Sequence, residues 1–283
     1  MNRGHGIYPC MSEIHTSSNI PQQSATKHSP GKVIVITGAS SGIGAQLAVT
    51  LARHWNARIG LMARRAEQLE EVANQVRNAG GEAEVLPCDV VDDESVRRSI
   101  GQVERQFGPI DLAIANAGIA DPLPVHRMGD SSLVQRVFRI NLEGAANLFA
   151  AVLPQMLERG EGHIAAVSSI AGFRGLPGSA PYCASKAGLS CYLESLRLDL
   201  KGRGIAVTTI HPGFVATPMT DRNRFPMPFM MSSERAATIL ERGLRRRKRE
   251  INFPWQMVGA MRLLRAMPDW MFDLALGGRR LPK

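Results

Sequence analysis

Residues 33–44 read Val-Ile-Val-Ile-Thr-Gly-Ala-Ser-Ser-Gly-Ile-Gly and mark the start of the predicted fold in this 283-residue chain. The run Val33–Ile36 is continuously β-branched, which is typical of a strand buried on both faces of a parallel sheet. It leads directly into the glycine turn Thr37–Gly44 and then into a helix-compatible stretch, Ala45–His54. A strand, a glycine turn and a helix in this order place backbone amides where a pyrophosphate can bind. Taken alone, the same residues also suit an ordinary turn between a strand and a helix.

The chain after this stretch repeats the alternation of strand and helix. Further strands are predicted at Arg58–Ala63, Ala83–Cys88, Leu112–Ala115, Ile164–Val167, Ala206–Ile210 and Ile251–Phe253. Helices are predicted between them at Ala66–Ala79, Asp92–Phe107, Ser131–Arg159, Ala180–Lys201 and from Ser233 to about Arg249. Strands that alternate with helices of this length predict an α/β fold, a doubly wound parallel sheet of about seven strands with helices on both faces.

Composition divides the chain into three predicted parts. Residues 1–30 are rich in Ser, His, Asn, Gln and Pro with little periodicity, which is typical of a disordered tail. Residues 31–253 carry the strands and helices and form one predicted nucleotide-binding domain. Residues 254–283 are rich in Met, Leu and Trp, and they predict two amphipathic helices, broken at Pro268, that pack on the same domain.

The chain is basic, with a formal net charge of +9 and an isoelectric point near 9.9. Much of the excess lies in the run Arg245–Arg249, and no aromatic-rich basic sheet or recognition motif accompanies it, so nucleic acid is not predicted as a partner. Cys10, Cys88, Cys183 and Cys191 are scattered and predict neither a disulfide framework nor a metal site. The sequence shows no membrane-spanning run and no secretory signal. These features favour a cytoplasmic protein.

The basic, amphipathic C-terminal part leaves two interpretations open. Together with the upstream basic run, it could lie on an anionic membrane surface, which would make the protein membrane-associated at its periphery. A helix pair that covers a substrate cleft or a subunit interface explains the same pattern and is the interpretation that the pattern favours.

The stretch Tyr182-Cys183-Ala184-Ser185-Lys186 places a phenol and an ammonium group four residues apart in an Ala-rich helical run. On a helix, this spacing brings both side chains to one face. A positive charge beside a tyrosine favours the phenolate and lowers the pKa toward the range useful for acid–base chemistry. The same spacing is common on helix faces where a lysine extends to solvent.

Residues suited to binding or chemistry follow the predicted strands. They are Gly38, Arg64, Asp89, Asn116, Ser169 and Pro212. In an open α/β sheet, the carboxyl ends of the strands border the ligand crevice. These residues are therefore predicted to surround one site.

The second predicted strand ends at Ala63, followed by Arg64 and Arg65. In a dinucleotide fold, an acidic residue at this place binds the adenosine ribose hydroxyls, whereas an arginine accommodates a 2′-phosphate. The sequence therefore favours NADP(H) over NAD(H). A pair of solvated arginines at the end of a strand would give the same residues.

The motifs in combination resemble the short-chain dehydrogenase/reductase family in its single-domain form, over roughly residues 31–253. They are Thr-Gly-x-x-x-Gly-x-Gly at Thr37–Gly44, Asn-Ala-Gly at Asn116–Gly118, and Ser169 with Tyr182-x-x-x-Lys186. One position departs from the family pattern, which usually has a second asparagine where this chain has Ala115.

The resemblance implies a Rossmann-like fold and four catalytic residues: Asn141, Ser169, Tyr182 and Lys186. Tyr182 would protonate the substrate carbonyl oxygen as hydride arrives from the nicotinamide, or act as the base in the reverse direction. Lys186 would lower the pKa of Tyr182 and bind the nicotinamide ribose, and Ser169 would hold the carbonyl oxygen. The thirteen-residue step to Tyr182 favours Ser169 over Ser168. Asn141 would fix a water that links Lys186 to solvent.

The resemblance also implies a cofactor site and no metal. The glycine turn would line the phosphates, Asp89 and Val90 the adenine, Asn116 the ribose region, and Thr217 the nicotinamide amide. The full implied set is Gly38, Ser40, Ser41, Gly42, Ile43, Gly44, Arg64, Arg65, Asp89, Val90, Asn116, Ala117, Gly118, Tyr182, Lys186, Pro212, Gly213, Val215 and Thr217.

The leading hypothesis is an NADP(H)-dependent carbonyl reductase or alcohol dehydrogenase for a small molecule. The connection at residues 219–231 is rich in Met and Phe, which suits a lipophilic substrate, although plain packing of a loop explains it equally well. One alternative is reduction of a 3-oxoacyl thioester on an acidic carrier protein that docks on the basic run. Another is a protein that senses NADP without turnover. The resemblance further implies a homodimer or a homotetramer.

Overall fold

The structure, a computed structural model, describes residues 31–222 and 225–276. The expected tail at residues 1–30 and the end of the C-terminal part at residues 277–283 lie outside these ranges. The strands are β1 (Val33–Thr37), β2 (Arg58–Ala63), β3 (Glu82–Pro87), β4 (Leu112–Ala115), β5 (Gly162–Val167), β6 (Ile205–Pro212) and β7 (Glu250–Phe253). The helices are α1 (Gly42–Trp55), α2 (Ala66–Asn78), α3 (Asp93–Phe107), α4 (Ser131–Phe138), α5 (Gly144–Arg159), α6 (Ala180–Asp199), α7 (Ser233–Arg245), α8 (Trp255–Ala266) and α9 (Asp269–Leu276).

The seven strands form one parallel sheet in the order β3-β2-β1-β4-β5-β6-β7. This confirms the predicted Rossmann-like doubly wound α/β fold. The strand order reverses between β1 and β4, and in such sheets the crevice at this reversal is where ligands bind. The glycine turn after β1 and the Asn116–Gly118 motif after β4 therefore lie on its two sides.

The core consists of two apolar layers, one on each face of the sheet. In β1, Ile34 and Ile36 contribute to the layer under α1, α2 and α7, whereas Val33 and Val35 contribute to the layer under α3, α5 and α6. All four side chains are at most 1% exposed. The continuous apolar run that opens the fold is thus explained by burial on both faces.

The predicted helix Ser131–Arg159 is interrupted in the structure. The chain forms a π-helical turn at Arg139–Glu143 between α4 and α5. Asn141 lies in this turn and is buried, with 1% of its surface exposed, because its side chain bonds to the chain at Ile119. A wide turn re-aims a side chain that a regular helix would place differently, and π-turns often mark functional sites.

Several element ends differ from the sequence prediction for local reasons. Helix α3 begins at Asp93 because the Asp92 carboxylate caps the amide of Ser95. Helix α7 ends at Arg245, four residues earlier than predicted, since Arg247 has a φ of +46° and turns the chain into β7. The predicted break at Pro268 is confirmed, with α8 ending before it and α9 beginning after it.

The described residues contain neither a membrane-spanning helix nor a metal-binding cluster. Within residues 31–222 and 225–276, no helix is long and apolar enough to cross a membrane. The same residues contain no group of three or more His, Cys, Asp or Glu side chains arranged to hold a metal ion.

Candidate active site

The glycine turn between β1 and α1 packs directly against the end of β4. Gly38 has a φ of +64°, which a glycine adopts without strain, and a Cβ there would lie 2.7 Å from the Ala117 Cα. A Cβ on Gly44 would lie 2.4 Å from the side-chain nitrogen of Asn116. Side chains at these two positions would push β4 away from the turn, so the glycines are needed for packing as well as for access of a ligand.

The first turn of α1 fits the pyrophosphate of a dinucleotide. Its N-cap residue, Ser41, makes no side-chain hydrogen bond to the helix, and the first turn contains no acidic residue. Amides at a helix N-terminus and the helix dipole both favour a negative group at this place. Ser40, Gly42 and Ile43 lie in the same turn, as the sequence predicts.

A cationic side chain contacts this turn, and it belongs to Arg65. Its Nη2 donates to Ser40 Oγ at 3.1 Å and to Ser41 Oγ at 3.4 Å. Arg64, which the sequence argument placed at the 2′-phosphate, is exposed at the end of β2. Both arginines thus lie beside the crevice, and Arg65 is the one that contacts the turn.

Asp89 and Val90 follow β3 at the same edge of the sheet. Asp89 is exposed, and its Oδ1 accepts from the amide of Val91 at 3.1 Å. Val90 is buried, and its carbonyl accepts from Asn147 Nδ2 at 2.9 Å. The backbone here is therefore fixed, at the place where the sequence predicts the adenine.

Asn116 braces the crevice from within the protein. Its Nδ2 donates to the carbonyls of Thr37 and Gly38 at 3.0 and 3.1 Å. The Thr37 hydroxyl in turn accepts from the amides of Asn116 and Ala117 at 3.0 and 3.1 Å. These bonds tie the end of β4 to the end of β1. Thr37 was not among the predicted site residues, although it stands first in the glycine motif.

The connection after β6 borders the other side of the crevice. Thr217 lies against the glycine turn, because a Cβ on Gly42 would lie 3.1 Å from Thr217 Cγ2. The amide of Thr217 donates to Thr220 Oγ1 at 3.0 Å, which fixes its position. The remaining predicted residues of this segment lead up to it from the end of β6: Pro212, Gly213 and Val215.

The end of β5 and the start of α6 bring the proposed acid–base residues together. Lys186 is 4% exposed; its Nζ lies 5.9 Å from the centre of the Tyr182 ring and donates to the carbonyl of Val167 at 2.7 Å. Ser169 follows β5 directly, and its hydroxyl is hydrogen-bonded to the side chain of Tyr182. Three of the four predicted catalytic residues therefore form one group.

The neighbouring serine has a different environment. Ser168 is buried, and its hydroxyl donates to the carbonyl of Lys186 at 2.8 Å. The same hydroxyl lies 2.8 Å from Ser190 Oγ. Ser168 thus holds α6 against the sheet, while Ser169 contacts Tyr182.

The pKa values of the pair are shifted by burial. Burial raises the pKa of Tyr182, and the hydrogen bond from Ser169 acts in the opposite direction. Burial also lowers the pKa of Lys186 to about 8. Desolvation is the largest of the effects on Tyr182, so the net shift of its pKa is upward. The ammonium of Lys186, which the sequence predicts to act in the opposite direction, lies 5.9 Å from the centre of the ring and donates to Val167.

Asn141 reaches the same group through Gly118. A Cβ on Gly118 would lie 3.2 Å from Asn141 Oδ1 and 3.3 Å from Lys186 Nζ. Asn141 Oδ1 accepts from the amide of Ile119 at 2.8 Å, and its Nδ2 donates to Ser185 Oγ at 3.0 Å. The side chain of Asn141 thus joins the segment after β4 to α6, beside the lysine.

Comparison with known proteins agrees with this geometry. The family model of short chain dehydrogenases matches residues 32–226, which include the glycine turn, the Asn116–Gly118 motif and the Ser169, Tyr182 and Lys186 group. The chain belongs to the short-chain dehydrogenase/reductase family. It is 41% identical to an uncharacterized oxidoreductase of Myxococcus xanthus over 250 residues, which cover 88% of this chain and 97% of the relative.

A second relative in sequence and two solved structures of the same fold are also similar to this chain. A ketoacyl reductase, HetN, of a Nostoc strain is 35% identical over 201 residues, covering 70% of this chain and 69% of the relative. Two solved structures share the fold at 24% identity. Levodione reductase superposes with a TM-score of 0.74 over 82% of this chain and 98% of its own. An alcohol dehydrogenase of the archaeon Thermococcus sibiricus, complexed with 5-hydroxy-NADP, superposes with a TM-score of 0.70. The match covers 78% of this chain and 95% of the alcohol dehydrogenase.

Arg174 connects the site of this short-chain dehydrogenase/reductase to the C-terminal helices, and it was not among the residues predicted from the sequence. Arg174 follows the short 3-10 turn Ile170–Gly172, and only 17% of its side chain is exposed. Its guanidinium donates to the carbonyls of Arg265 and Met267 at 3.1 and 2.9 Å and to Asp269 Oδ1 at 2.6 Å. Its contacts lie 91–95 residues away in sequence, so no local signal points to it.

We expect Arg174→Ala to loosen the helix pair without unfolding the sheet. The variant would remove three hydrogen bonds and the contact of the guanidinium with the Phe272 ring, 4.3 Å away. Amide hydrogen exchange in α9 should then be at least about tenfold faster, since about 1.4 kcal/mol corresponds to a factor of ten. Exchange in β1 and β4 should not change. Unchanged exchange in α9 would show that Arg174 does not hold it.

Proposed function

We propose that the protein is an NADP(H)-dependent oxidoreductase that interconverts a carbonyl group and an alcohol on a small apolar molecule, with Tyr182 as the general acid or base. The observation that carries this proposal is the group formed by Tyr182, Ser169 and Lys186 at the carboxyl edge of the sheet. It adjoins a glycine turn that fits a dinucleotide. The group and the turn together supply both requirements of the reaction, a proton donor and a place for the cofactor.

Each residue of the group has a part in the proton transfer. The nicotinamide, when bound, supplies the hydride. Tyr182 donates its proton to the carbonyl oxygen of the substrate, and the Ser169 hydroxyl donates a hydrogen bond to the same oxygen. A phenol holds its proton at neutral pH, so Tyr182 can act as the acid in reduction. Burial raises its pKa, so the phenolate left after proton transfer needs a positive charge beside it.

Lys186 and Asn141 support the tyrosine. The ammonium of Lys186 stabilises the phenolate that remains after Tyr182 has donated its proton. Its burial leaves it charged below about pH 8. Asn141 lies next to the lysine, across Gly118, in the π-turn Arg139–Glu143. We propose that Asn141 positions a water molecule through which the proton returns from solvent to Lys186 and Tyr182.

The arginines after β2 set the preference for NADPH. Arg65 contacts the serines of the glycine turn, so its guanidinium lies where a 2′-phosphate would add a second negative group. We expect Arg65→Ala to raise the Kd for NADPH by about 10–100-fold, the effect of losing a charge-assisted hydrogen bond. The Kd for NADH should change less than about threefold.

Arg64→Ala is the matched control for this measurement. If Arg64 and not Arg65 binds the 2′-phosphate, Arg64→Ala will lose more NADPH affinity than Arg65→Ala does. Equal NADPH and NADH affinities in the wild-type protein would contradict the cofactor proposal. Titration of both cofactors by calorimetry gives these values directly.

The proposed substrate is lipophilic. Large apolar side chains of the connection between β6 and α7 are exposed close to the site. They are Met219, Phe225, Phe229 and Met230, which are 40–57% exposed. Such side chains form an adaptable apolar wall. The solved structures of similar fold include a levodione reductase and an alcohol dehydrogenase, and their names agree with carbonyl and alcohol chemistry.

Reduction of a 3-oxoacyl thioester is the second candidate, because one relative is named a ketoacyl reductase. The basic run at residues 245–249, its proposed dock, immediately precedes β7 and lies at the amino edge of the parallel sheet. Tyr182 lies at the carboxyl edge, so the full length of a strand, about 25 Å for the eight residues of β6, separates the two. This separation favours the small-molecule substrate.

The proposal includes an assembly and a location. We propose a homodimer or homotetramer in the cytoplasm. A protein that binds NADPH without turnover is the remaining alternative. A panel of aldehydes, ketones, steroids and acyl thioesters, assayed by loss of NADPH absorbance, separates the candidates. Turnover of apolar ketones supports the leading proposal, turnover of acyl thioesters alone supports the second candidate, and tight NADPH binding without any turnover supports the third.

A further inference from the structure

The C-terminal helix pair carries an apolar surface that the described part of the chain leaves uncovered. We call it the C-terminal apolar surface, and it consists of Trp255 and Leu263 on α8 and Trp270, Met271 and Leu274 on α9. Their exposed fractions are 79%, 68%, 69%, 40% and 82%. Single exposed apolar side chains are ordinary on proteins, but five within twenty residues of chain indicate an interaction site.

Among the α-helices in the described ranges, α9 is the one without a buried residue. It has eight residues, six of them apolar, and none of them is buried. A helix of this length is marginal in water unless its apolar face packs on something. In the structure it is held at its first turn, by the Arg174–Asp269 ion pair and the stacking of Arg174 on Phe272. Its outer side is free to bind.

Helix α8 packs one face on the domain and exposes the other face to solvent. Val258 and Met261 are buried and pack with Ile170, next to Ser169. Trp255 and Leu263 lie two turns apart on the opposite side. The inner face explains why α8 stays on the domain, and it leaves the outer face unused.

The charge of this segment favours an anionic partner. Residues 254–283 contain five Lys or Arg and two Asp or Glu side chains. One of the two acids, Asp269, pairs with Arg174 at 2.6 Å, although its side chain is 94% exposed. Arg262 and Arg265 are exposed on α8 itself, and the Arg262 pair with Glu250, at 3.4 Å, is exposed and therefore weak.

An anionic bilayer satisfies this chemistry better than a second copy of the chain. In a symmetric pairing through this surface, the arginines of the two α8 helices would approach each other and repel. A bilayer with acidic headgroups attracts them instead. Tryptophan is suited to the headgroup level, because its ring is apolar and its N–H is polar.

We propose that the C-terminal apolar surface binds the face of an anionic phospholipid bilayer, with α9 lying in the plane of the interface. No helix in residues 31–222 or 225–276 is both long and apolar enough to span a membrane, and the proposed contact is peripheral. Because α8 packs on Ile170, next to Ser169, this orientation places the site on the side of the domain that faces the membrane.

The test is co-sedimentation of the full chain with vesicles. Vesicles of phosphatidylcholine with 30% phosphatidylserine, at roughly physiological ionic strength, should bind the protein, and phosphatidylcholine alone should bind it at least about tenfold less. The variant Trp270→Ser with Leu274→Ser should reduce binding by at least about tenfold, since it removes two side chains that the bilayer would cover. Leu198→Ser, on α6 and 61% exposed, is the matched control and should bind as the wild type does.

A second variant tests the charge. Arg262→Glu with Arg265→Glu should also abolish the preference for phosphatidylserine, and both variants should still bind NADPH, which shows that they fold. Absence of wild-type binding, equal binding to both vesicles, or full binding by the Trp270 and Leu274 variant would each overturn the proposal. So would a concentration-dependent dimer that this variant dissociates, because a second copy would then cover the surface.

Discussion

Replacement of Tyr182 by phenylalanine is expected to lower kcat for carbonyl reduction by about 10²–10⁴-fold, the range that a positioned general acid contributes. The substitution removes one oxygen atom and keeps the ring that packs in the site. The lost phenol is the group that Ser169 contacts and that would donate the proton. We therefore expect the Kd for NADPH to stay within about threefold of the wild-type value.

Tyr192→Phe provides a matched control on the same helix. Tyr192 is half-buried and stacks on Phe149 at 6.5 Å between ring centres, away from Ser169. Its loss should leave kcat within about twofold. If Tyr182→Phe kept near-normal turnover, or if Tyr192→Phe were equally damaging, the assignment of the proton donor would be wrong.

Lys186→Met should have the second largest effect, a loss of about 10²–10³-fold in kcat/KM, as found when one preorganised donor is removed from a site. Methionine keeps the length of the side chain and removes its charge. In the wild-type protein, kcat/KM for reduction should fall as pH rises through about 8, because burial lowers the pKa of Lys186 to about 8 and the ammonium is lost above it. This alkaline limb should be absent in the variant.

The same residue makes a testable contribution to stability. The folded-state pKa of Lys186 is about 8 and the ordinary value is 10.5, so between these two pH values the unfolded chain holds a proton that the folded chain does not. Stability from this group therefore rises with pH across that window, and is lowest below about pH 8. Lys186→Met should remove this rise, which denaturant unfolding at pH 8 and pH 10 measures.

Lys201→Met is the control for the stability measurement. Lys201 is exposed just after α6, so its replacement should leave the pH dependence unchanged. If stability changed by the same amount between pH 8 and pH 10 in the wild type, Lys186→Met and Lys201→Met, Lys186 would not be desolvated in the folded state.

Much of the fold follows from local patterns in the sequence. The β-branched run of β1 predicts a strand buried on both faces, and the two core layers use its side chains alternately. The glycine turn and the strand ends predict where ligands bind, since a parallel sheet collects its carboxyl ends at one edge. Seven strands and the break at Pro268 were predicted because each has its own local signal.

Other features depend on contacts between distant residues and carry no local signal. Arg65, and not Arg64, contacts the serines of the glycine turn, because of the path that the chain takes after β2. The upward shift of the Tyr182 pKa depends on burial, which a Tyr-x-x-x-Lys spacing does not report. The π-turn at Asn141 exists because the side chain bonds to Ile119, 22 residues earlier in the chain. Arg174 bonds to the end of α8 and the start of α9, 91–95 residues after it in the chain.

The most direct test of the central claim uses NADPH that carries deuterium at the transferable position of the nicotinamide. The protein is incubated at pH 7 with the member of the carbonyl panel that turns over fastest, and the product is analysed by mass spectrometry. We expect the wild type to form an alcohol with one deuterium on the carbinol carbon. This product should be nearly absent with Tyr182→Phe. An unlabelled product, or NADPH that binds tightly while no carbonyl compound is reduced, would contradict it.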